Sequence, residues 1–390
     1  MCKPTPVAST ETKKTGKTRR GMSKMALYLS ASFAMLVAIF PMIISELIGG
    51  WTAKYTSPVY FTPKSIPDLT GKVAIVTGAN TGIGYHTALE LARKNAQVIV
   101  ASRNPSKGQE AITRIQEATG NHHVRFLPLD LSSLASVRSF AQAFQALQLP
   151  LDMLILNAGI MKSPGAQFIG KNMTQGFELT QDGFEVHIGV NHVGHFYLTQ
   201  LLRDSLIASA PSRVVAVSSI AEQGAYQPDG FRFELWKPLN VEHATSMGYE
   251  DGMAYGQSKL ANAMFAKELA EQLKEHGVTA YSCHPGVIVS ELTRYLVASI
   301  EEEALQKSWW SRMYLNALGK YFELAQMKTS DGALTQLHLA VSNVSELSNG
   351  GFYHPIGKLK GSPNHAQGSN EKLRKELWRE TERMIKEAGF

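Results

Sequence analysis

From Leu69 onward, the chain alternates short, uninterrupted apolar runs with longer segments of helical periodicity. Unbroken runs of Val, Ile and Leu are typical of strands buried on both faces, and strand–helix alternation is typical of a parallel sheet covered by helices. We therefore predict an α/β domain built on one doubly wound parallel sheet. The predicted strands are 72–78, 96–102, 124–130, 152–159, 213–219 and 278–284, and helices are predicted from the first strand to about Asn95, over 106–119 and over 133–147.

The segment AYGQSKLANAMFAKEL, residues 254–269, predicts a further helix. Leu260 and Met264 lie four residues apart, and Ala, Leu, Lys and Glu favour helices. The first turn carries Tyr255 and Lys259, which are also four apart and therefore share one face. A Tyr-x-x-x-Lys match occurs by chance in many chains of this length, so packing of the tyrosine and solvation of the lysine are the preferred explanation from this match alone.

A different pattern precedes the domain. Between Lys24 and Glu46 lie 21 residues without a charge, enough to cross a hydrocarbon core of about 30 Å at about 1.5 Å per residue. The alternatives are a buried helix or a cleaved signal peptide, whose apolar region is shorter, about 7–15 residues. We predict a basic tail over 1–24, a single transmembrane helix over 25–48 and a proline-spaced linker over 49–68.

The basic charge of the chain is confined to that tail. Residues 1–24 hold seven Lys or Arg and one Glu, whereas the other 366 residues hold 32 basic and 32 acidic side chains, so the net charge of +6 belongs to the tail. A nucleic-acid-binding domain would carry basic excess on its folded body, so we expect no nucleic-acid partner. Two cysteines, Cys2 and Cys283, do not predict a disulfide framework, and no His/Cys cluster has the spacing of a metal site.

The turn after the first strand, TGANTGIG, contains Gly78, Gly82 and Gly84. Glycines between a first strand and a helix permit a tight turn and let backbone N–H groups approach a pyrophosphate. An acid at the end of the second strand would favour NAD. This chain has Arg103 and Lys107 there, which suit a 2′-phosphate, although a solvated loop charge is the alternative for Arg103. We predict NADP(H) as the cofactor.

The later strands also end in polar or small residues. Ligands of open α/β sheets bind beyond the carboxyl ends of the strands, so these residues are candidates for one site. They are Asp130, as a partner for the adenine amino group, NAG at 157–159, Ser218 and Ser219 after the fifth strand, and HPGVIVS at 284–290, with Asn191 on a helix before the fifth strand.

The motifs TGANTGIG, NAG, VNHVGHF, VSS, AYGQSKLAN and HPGVIVSEL, in this order, resemble the short-chain dehydrogenase/reductase family. LTQDGFEVHIGVNHVGHFYLTQLL and HPGVIVSELTR are similar to its membrane-anchored retinol dehydrogenase-like branch. The resemblance spans about Asp68 to Gly368. It implies a Rossmann-like fold and hydride transfer between a nicotinamide cofactor and a carbonyl or alcohol, and it makes Tyr255 a catalytic residue rather than a packing residue.

The resemblance also implies the roles of the site residues. Tyr255 would exchange a proton with the substrate oxygen, and because its unperturbed pKa is about 10, the nearby Lys259 cation is expected to lower that pKa. Lys259 would also bind the nicotinamide ribose. Ser219 would hold the substrate oxygen, Asn191 would anchor a proton-relaying water, and Ser218 would be structural. The expected cofactor-binding residues are Gly78, Asn80, Thr81, Gly82, Ile83, Gly84, Arg103, Lys107, Asp130, Asn157, Ala158, Gly159, Tyr255, Lys259, Pro285, Gly286 and Ser290.

The sequence departs from compact family members by two insertions, 160–176 and 220–252, the second of which separates Ser219 from Tyr255. Long ordered insertions at a site mouth are usually functional, so they leave the substrate open. A third segment, 291–326, would line an apolar pocket, touch a membrane interface or pack as an ordinary helix. Its candidate residues are Tyr295, Leu296, Trp309, Trp310, Tyr314 and Leu318.

We read His192 and His195 as core residues, Cys283 as a buried small apolar residue, and the charges of the C-terminal helix, 369–390, as a solvated face. The domain between linker and helix, 69–368, is expected to be an NADP(H)-dependent oxidoreductase for a lipophilic carbonyl or alcohol of the retinoid, sterol, fatty or isoprenoid class. The alternatives are a carbon–carbon double-bond reductase similar to protochlorophyllide reductase and a non-catalytic NADP-sensing scaffold. The oligomeric state is open between monomer and homodimer.

Two arguments conflict on the sidedness of the domain. Six of the Lys/Arg before the apolar span favour a cytosolic tail and a lumenal domain by the positive-inside rule. The resemblance points to a cytosolic domain on the endoplasmic reticulum. We expect the cytosolic side, with the glycosylation sequons at Asn172 and Asn343 unmodified.

Overall fold

The computed structural model describes residues 61–162, 177–288 and 327–390. Within these residues eight strands form one sheet. Seven strands are joined by parallel pairing and the eighth pairs antiparallel. The strands are β1 Val73–Thr77, β2 Gln97–Ser102, β3 Val124–Pro128, β4 Met153–Leu156, β5 Ser212–Val217, β6 Val278–Cys283, β7 Phe352–His354 and β8 Lys358–Gly361.

Helices connect these strands. Five short 3-10 turns, at Pro63–Ser65, Ile220–Gly224, Phe233–Leu235, Lys274–His276 and Val344–Glu346, and a helical turn with a π-helical stretch, Val186–Ile188 and Gly189–Val193, complete the described elements. The helices are α1 Gly82–Arg93, α2 Pro105–Thr119, α3 Leu134–Ala146, α4 Gly194–Leu201, α5 Arg203–Ala208, α6 Val241–Ser246, α7 Asp251–Gln272, α8 Thr329–Val341 and α9 Glu371–Glu387.

The order of strands in the sheet is β3-β2-β1-β4-β5-β6-β7-β8. The chain starts at β1, builds outward to β3, and then returns to the other side of β1 with β4. Ile75 of β1 pairs with Ile99 of β2 and with Leu154 of β4, so the reversal lies between β1 and β4. This reversal opens the crevice in which such sheets bind ligands. The predicted doubly wound α/β sheet is confirmed, with all six predicted strands present.

Alternation along the strands divides the core into two layers. Successive side chains of a strand point to opposite faces, and in β1, Val73 and Ile75 join the layer with α3, α4 and α7, whereas Ala74 and Val76 join the layer with α1, α2 and α8. A third, smaller apolar cluster forms inside the second insertion, around Tyr226, Leu235 and Tyr249.

β7 and β8 were not predicted from the sequence. β7 has three residues, and β8, with the sequence KLKG, consists of exposed residues at the edge of the sheet. Neither offers the apolar run or strict alternation by which a strand is recognised. Both extend the sheet beyond β6, on the side where the sequence places the HPG motif.

Both ends of the predicted domain pack against it. Phe61 and Ile66, in the segment predicted as linker, are buried, and the Phe61 ring contacts His338 at 5.1 Å between centroids. On α9, the charges are not all solvated as expected. Arg374 is 8% exposed and its guanidinium contacts Glu268 at 2.8 Å and Glu271 at 2.5 Å, because this face of α9 lies against α7.

No helix among the described residues is both long and apolar enough to span a bilayer. The predicted anchor, 25–48, and the basic tail lie outside the described residues, as do the segments 163–176 and 289–326 with Asn172, Ser290 and the aromatic residues singled out there.

Candidate active site

The glycine turn between β1 and α1 brings the backbone of two strands together. Gly78 has φ +66° and a Cβ there would lie 2.9 Å from the Cα of Ala158. A Cβ on Gly84 would lie 2.4 Å from Asn157 Nδ2 and 2.5 Å from the Gly78 carbonyl oxygen. Real Cβ atoms do not approach so closely, so both positions require glycine. The turn is therefore closed against the end of β4.

The first turn of α1 fits a pyrophosphate. Thr81 is the N-cap residue, but its side chain forms no capping hydrogen bond, and the first turn contains no acidic residue. Gly82, at the helix start, has φ +59° and open space around its Cβ position. Unsatisfied N–H groups and the helix dipole favour an anion at such an end. Asn80 and Ile83 lie in the same turn, half-buried.

The end of β2 presents two cations to solvent. Arg103 and Lys107 are exposed, and among the described residues neither forms an ion pair. Asn104 caps α2 by accepting a hydrogen bond from the Lys107 backbone N–H at 3.0 Å, and the first turn of α2 has no acid. Both side chains are therefore available to a phosphate, and residues 103–109, all of them described, contain no carboxylate that could bind a ribose diol.

The ends of β3 and β4 complete the expected cofactor-binding part of the site. Asp130 is half-buried, and its Oδ1 accepts hydrogen bonds from the N–H and the hydroxyl of Ser132 at 3.0 and 2.7 Å. Asn157 Nδ2 donates to the Thr77 carbonyl at 2.9 Å, and its Oδ1 accepts from Gln336 of α8 at 3.3 Å. Gln336 was not identified from the sequence, since nothing in the pattern of α8 distinguishes it from a core-facing polar residue.

His195 connects Asn191 with Thr77 at the end of β1 through hydrogen bonds. Its Nδ1 lies 3.0 Å from the Asn191 carbonyl oxygen, which can only accept, so Nδ1 carries the proton. Nε2 then accepts from the Thr77 hydroxyl at 2.9 Å, and Thr77 Oγ1 in turn accepts from the Ala158 N–H at 2.9 Å. The interpretation of His195 as a hydrogen-bonded core residue is confirmed.

Tyr255 and Lys259 lie on the first turns of α7, facing Ser219 at the end of β5. Tyr255 is 9% and Lys259 4% exposed. Ser219 lies close enough to the Tyr255 hydroxyl to lower its pKa, and Lys259 Nζ lies 5.6 Å from the centroid of the tyrosine ring. Ser218, expected to be structural, donates to the Lys259 carbonyl at 2.6 Å. The fold therefore brings the half-buried Ser219 together with the buried Tyr255 and Lys259.

The pKa of Tyr255 differs from the expectation. Burial raises it to about 12, opposed by the hydrogen bond from Ser219. Burial likewise lowers the pKa of Lys259 to about 8, and Lys259 Nζ donates to the Val217 carbonyl at 3.3 Å. The pKa of Tyr255 is therefore raised and not lowered as expected, because desolvation of the phenolate outweighs the opposing effect of Ser219.

Asn191 lies within the π-helical stretch, a kind of local widening that is frequent at functional sites. Its Oδ1 accepts from the Ile160 N–H at 2.8 Å, and its Nδ2 donates to the Ile160 carbonyl and to Ser258 Oγ, both at 3.0 Å. A Cβ on Gly159 would lie 3.0 Å from Lys259 Nζ and 3.3 Å from Asn191 Oδ1. Asn191 and Lys259 thus face each other across Gly159, and the water relay stays a prediction.

The end of β6 closes the site opposite the glycine turn. Gly286 has φ +101°, and a Cβ there would lie 2.6 Å from Met327 Sδ. Pro285 precedes it and is buried, and Ile288 bridges to Met327. Cys283, at the end of β6, is buried, as predicted.

One group of site residues was missed. Glu185 and His187, just before the π-helical stretch, are fully buried and hydrogen-bonded to each other, and Tyr249 of the second insertion joins them. The His187 ring contacts the Tyr255 ring edge-on, with 6.1 Å between centroids. Glu and His two residues apart carry no recognisable signal, since the contacts that define this group are far apart in sequence.

Comparison with known proteins agrees with this geometry. The family model for short chain dehydrogenase matches residues 72–228 and 242–301. Human retinol dehydrogenase 11 is 40% identical over 348 residues, which are 89% of this chain and 95% of that protein. Retinol dehydrogenase 13 from Homo sapiens is 37% identical and covers 81% of this chain and 85% of its own length.

Two solved structures are similar in fold. A crystal structure from Mycobacterium paratuberculosis is 30% identical, with a TM-score of 0.59, covering 84% of this chain and 97% of its own. The Pseudomonas aeruginosa RhlG/NADP complex is 23% identical, with a TM-score of 0.53, covering 74% and 95%. The chain belongs to the short-chain dehydrogenase/reductase family, in its retinol dehydrogenase-like branch, and is an oxidoreductase that acts on CH–OH or C=O groups with a nicotinamide cofactor.

Proposed function

We propose that the protein uses NADP(H) to interconvert a lipophilic aldehyde or ketone and its alcohol, from a domain anchored to the endoplasmic reticulum membrane by residues 25–48. The observation that carries the proposal is the grouping of the half-buried Ser219 with the buried Tyr255 and Lys259. The retinol dehydrogenases at 37–40% identity support a lipophilic substrate. The 21-residue uncharged span supports the anchor, and the cytosolic placement of the domain stays a prediction.

The preference for the phosphorylated cofactor rests on the end of β2. Arg103 and Lys107 are exposed cations with no carboxylate in the first turn of α2. Arg103 would pair with the 2′-phosphate, Lys107 would add charge, and the N–H groups at Gly82 to Gly84 would hold the pyrophosphate. Bound there, the nicotinamide cofactor supplies or accepts the hydride.

The protein's own residues would handle the proton and the substrate oxygen. With a pKa of about 12, Tyr255 is protonated at neutral pH and can donate its phenol proton to a substrate oxygen that gains negative charge. Ser219 would donate a second hydrogen bond to that oxygen, since its Oγ is already held by the Ala221 N–H at 3.2 Å. Lys259 would then compensate the tyrosinate. A strongly protonated Tyr255 favours reduction at neutral pH, and alcohol oxidation gains as pH rises.

The test is a turnover assay with NADPH and NADH on an aldehyde panel that includes all-trans-retinal. The wild-type protein is expected to reduce retinal with NADPH. Arg103→Asp is expected to weaken NADPH about tenfold or more and NADH little, because a charge-assisted hydrogen bond contributes about 1.5–3 kcal/mol.

Lys64→Asp, on an exposed turn outside the site, is the charge-matched control and should change neither cofactor. If Arg103→Asp weakened the binding of NADPH and NADH equally, the proposal that Arg103 binds the 2′-phosphate would be contradicted. Binding of NADPH without turnover of any carbonyl would favour the sensing scaffold instead.

A further inference from the structure

The Glu185–His187 pair connects three parts of the site near Tyr255: residues 160–162, the segment before the π-helical stretch and the second insertion. We call these parts together the substrate side. Glu185 Oε1 accepts hydrogen bonds from His187 Nδ1 at 2.6 Å and from the Tyr249 hydroxyl at 3.0 Å, and Oε2 accepts from the Ile188 N–H at 3.0 Å. The Glu185 N–H donates to the Trp236 carbonyl at 2.8 Å. The second insertion is therefore fastened to the segment that precedes the π-helical stretch.

Hydrogen bonding fixes the proton on the His187 ring. Burial raises the pKa of Glu185, but its interactions with His187 and the backbone N–H groups of His187 and Ile188 outweigh burial and leave the pKa below its usual value. A carboxylate can only accept, so His187 Nδ1 carries a proton. Nε2 is then the acceptor for the Lys162 backbone N–H, at 2.9 Å.

His187 and Asn191 together hold residues 160–162. Asn191 binds both backbone polar groups of Ile160, and His187 binds the N–H of Lys162. The Lys162 ammonium also pairs with Glu178. The same His187 ring lies edge-on to Tyr255, so one side chain sets the distance between this backbone segment and the catalytic tyrosine.

We propose that His187 is a positioning residue: through its Nε2 it holds residues 160–162 as the wall beside Tyr255 that admits a bulky substrate in the reactive orientation. This inference deepens the proposed function and rests on it. Small aldehydes reach Tyr255 without touching that wall, whereas bulky ones are oriented by it, so the role is one of substrate discrimination. Misplacement of a bound substrate by about 1 Å can cost up to about 10²-fold in rate.

Two substitutions separate the halves of the imidazole. The amide of asparagine lies near the Nδ1 position of histidine, so His187→Asn can still donate to Glu185 but leaves the Lys162 N–H without its acceptor. The amide of glutamine lies near Nε2, so His187→Gln keeps an acceptor for Lys162 and loses the donor to Glu185. Because Glu185 is a buried charge, the glutamine variant should be the less stable of the two.

The readout is the ratio of kcat/KM for all-trans-retinal to that for propanal, with the melting temperature beside it. The asparagine variant is expected to lose about tenfold in this ratio, mainly through kcat for retinal, and the glutamine variant is expected to keep the wild-type ratio within about threefold despite its lower stability. A ratio that falls with stability, more in glutamine than in asparagine, would overturn the proposal, as would an unchanged ratio in both.

A second pair leaves the buried Glu185–His187 pair intact. Lys162→Pro removes the backbone N–H, whereas Lys162→Ala keeps it and removes only the ion pair with Glu178. The proline variant should lower the ratio like His187→Asn, and the alanine variant should not. Equal ratios in these two variants would count against the proposal even if the histidine variants did not fold.

Hydrogen exchange of the Lys162 amide tests the placement without any substrate. Exchange should accelerate at least about tenfold in His187→Asn and stay near wild type in His187→Gln, since protection follows the hydrogen bond. If the wild-type protein reduced no carbonyl, the proposed function would fail, while this exchange measurement would still decide whether His187 Nε2 holds residues 160–162.

Discussion

Two parts of this site differ in how their geometry is fixed. The cofactor side consists of the glycine turn and the ends of β2 to β4, and the substrate side is the part around Glu185 and His187. On the cofactor side, Gly78 and Gly84 allow backbone to approach backbone, and the geometry follows from a turn of a few residues between β1 and α1. On the substrate side, Glu185, His187 and Tyr249 are buried polar side chains whose partners lie up to 64 residues away. Backbone geometry binds a cofactor shared by a whole family, whereas a side-chain network can be changed residue by residue to suit a substrate.

The largest expected effect separates chemistry from binding at the point where the two sides meet. Tyr255→Phe removes the phenol proton and the hydrogen bond with Ser219, and leaves the glycine turn untouched. Turnover should fall by about 10²- to 10⁴-fold, while the Kd for NADPH, measured by fluorescence titration, should change less than about threefold. Retention of more than a few per cent of activity would show that another group donates the proton.

The difference between the two sides explains what the sequence could predict. TGANTGIG, NAG and Tyr-x-x-x-Lys encode their structures within a few residues, so the pattern predicts their strands and helices, and the resemblance to the family implies their roles. Glu185 and His187 have no such local code, because their meaning depends on Tyr249, Trp236 and Lys162 being brought to them by the fold. The pKa of Tyr255 was wrongly expected to fall, because the degree of burial is a property of the folded protein.

Two buried histidines between the cofactor side and the substrate side, His192 and His195, should lower the stability of the protein in acid. Burial, together with the charge of a neighbouring group, lowers the pKa of His192 to about 3 and of His195 to about 4. Both must stay neutral in the fold but take up protons near pH 6.5 when unfolded. The stability they provide is therefore complete above about pH 6.5 and is lost as pH falls toward 4, at about 1.4 kcal/mol per pH unit for each histidine.

Urea unfolding at several pH values measures this slope, and His192→Gln supplies the control. Glutamine does not titrate and can still reach Thr381, which lies 3.1 Å from His192 Nε2. The slope between about pH 6 and 4.5 should decrease by about 1.4 kcal/mol per pH unit in this variant. An unchanged slope would mean that His192 does not exclude its proton.

Two glycine-to-alanine substitutions, one on each side of the site, test the difference between the cofactor side and the substrate side. Gly84→Ala would place a Cβ against Asn157 and the Gly78 carbonyl, whereas Gly252→Ala, in α7 on the substrate side, meets nothing within 4 Å. The first change should cost about 3 kcal/mol of unfolding free energy, since overpacking forces backbone shifts, and should weaken NADPH about tenfold.

The second change should be neutral or stabilise by up to about 1 kcal/mol, because alanine favours a helix more than glycine does. Thermal unfolding and NADPH titration measure both variants. Similar behaviour of the two would refute the view that close approach of backbone at Gly84 shapes the cofactor side.

The smallest effect concerns the fastening of the second insertion, and two tyrosines of that insertion provide it. Tyr249 donates to the buried carboxylate of Glu185 at 3.0 Å, whereas the Tyr226 hydroxyl accepts a weak bond, at 3.4 Å, from the Glu250 N–H. Both rings belong to the same apolar cluster, so replacing each by phenylalanine removes one hydroxyl from a similar environment.

A hydrogen bond to a charged group contributes about 1.5–3 kcal/mol and a neutral one about 1 kcal/mol or less. Tyr249→Phe should therefore lower the unfolding free energy by about 2 kcal/mol and Tyr226→Phe by about 0.5 kcal/mol, as measured in urea. Equal losses would mean that the hydrogen bond from the Tyr249 hydroxyl to Glu185 adds nothing to the fastening of the insertion.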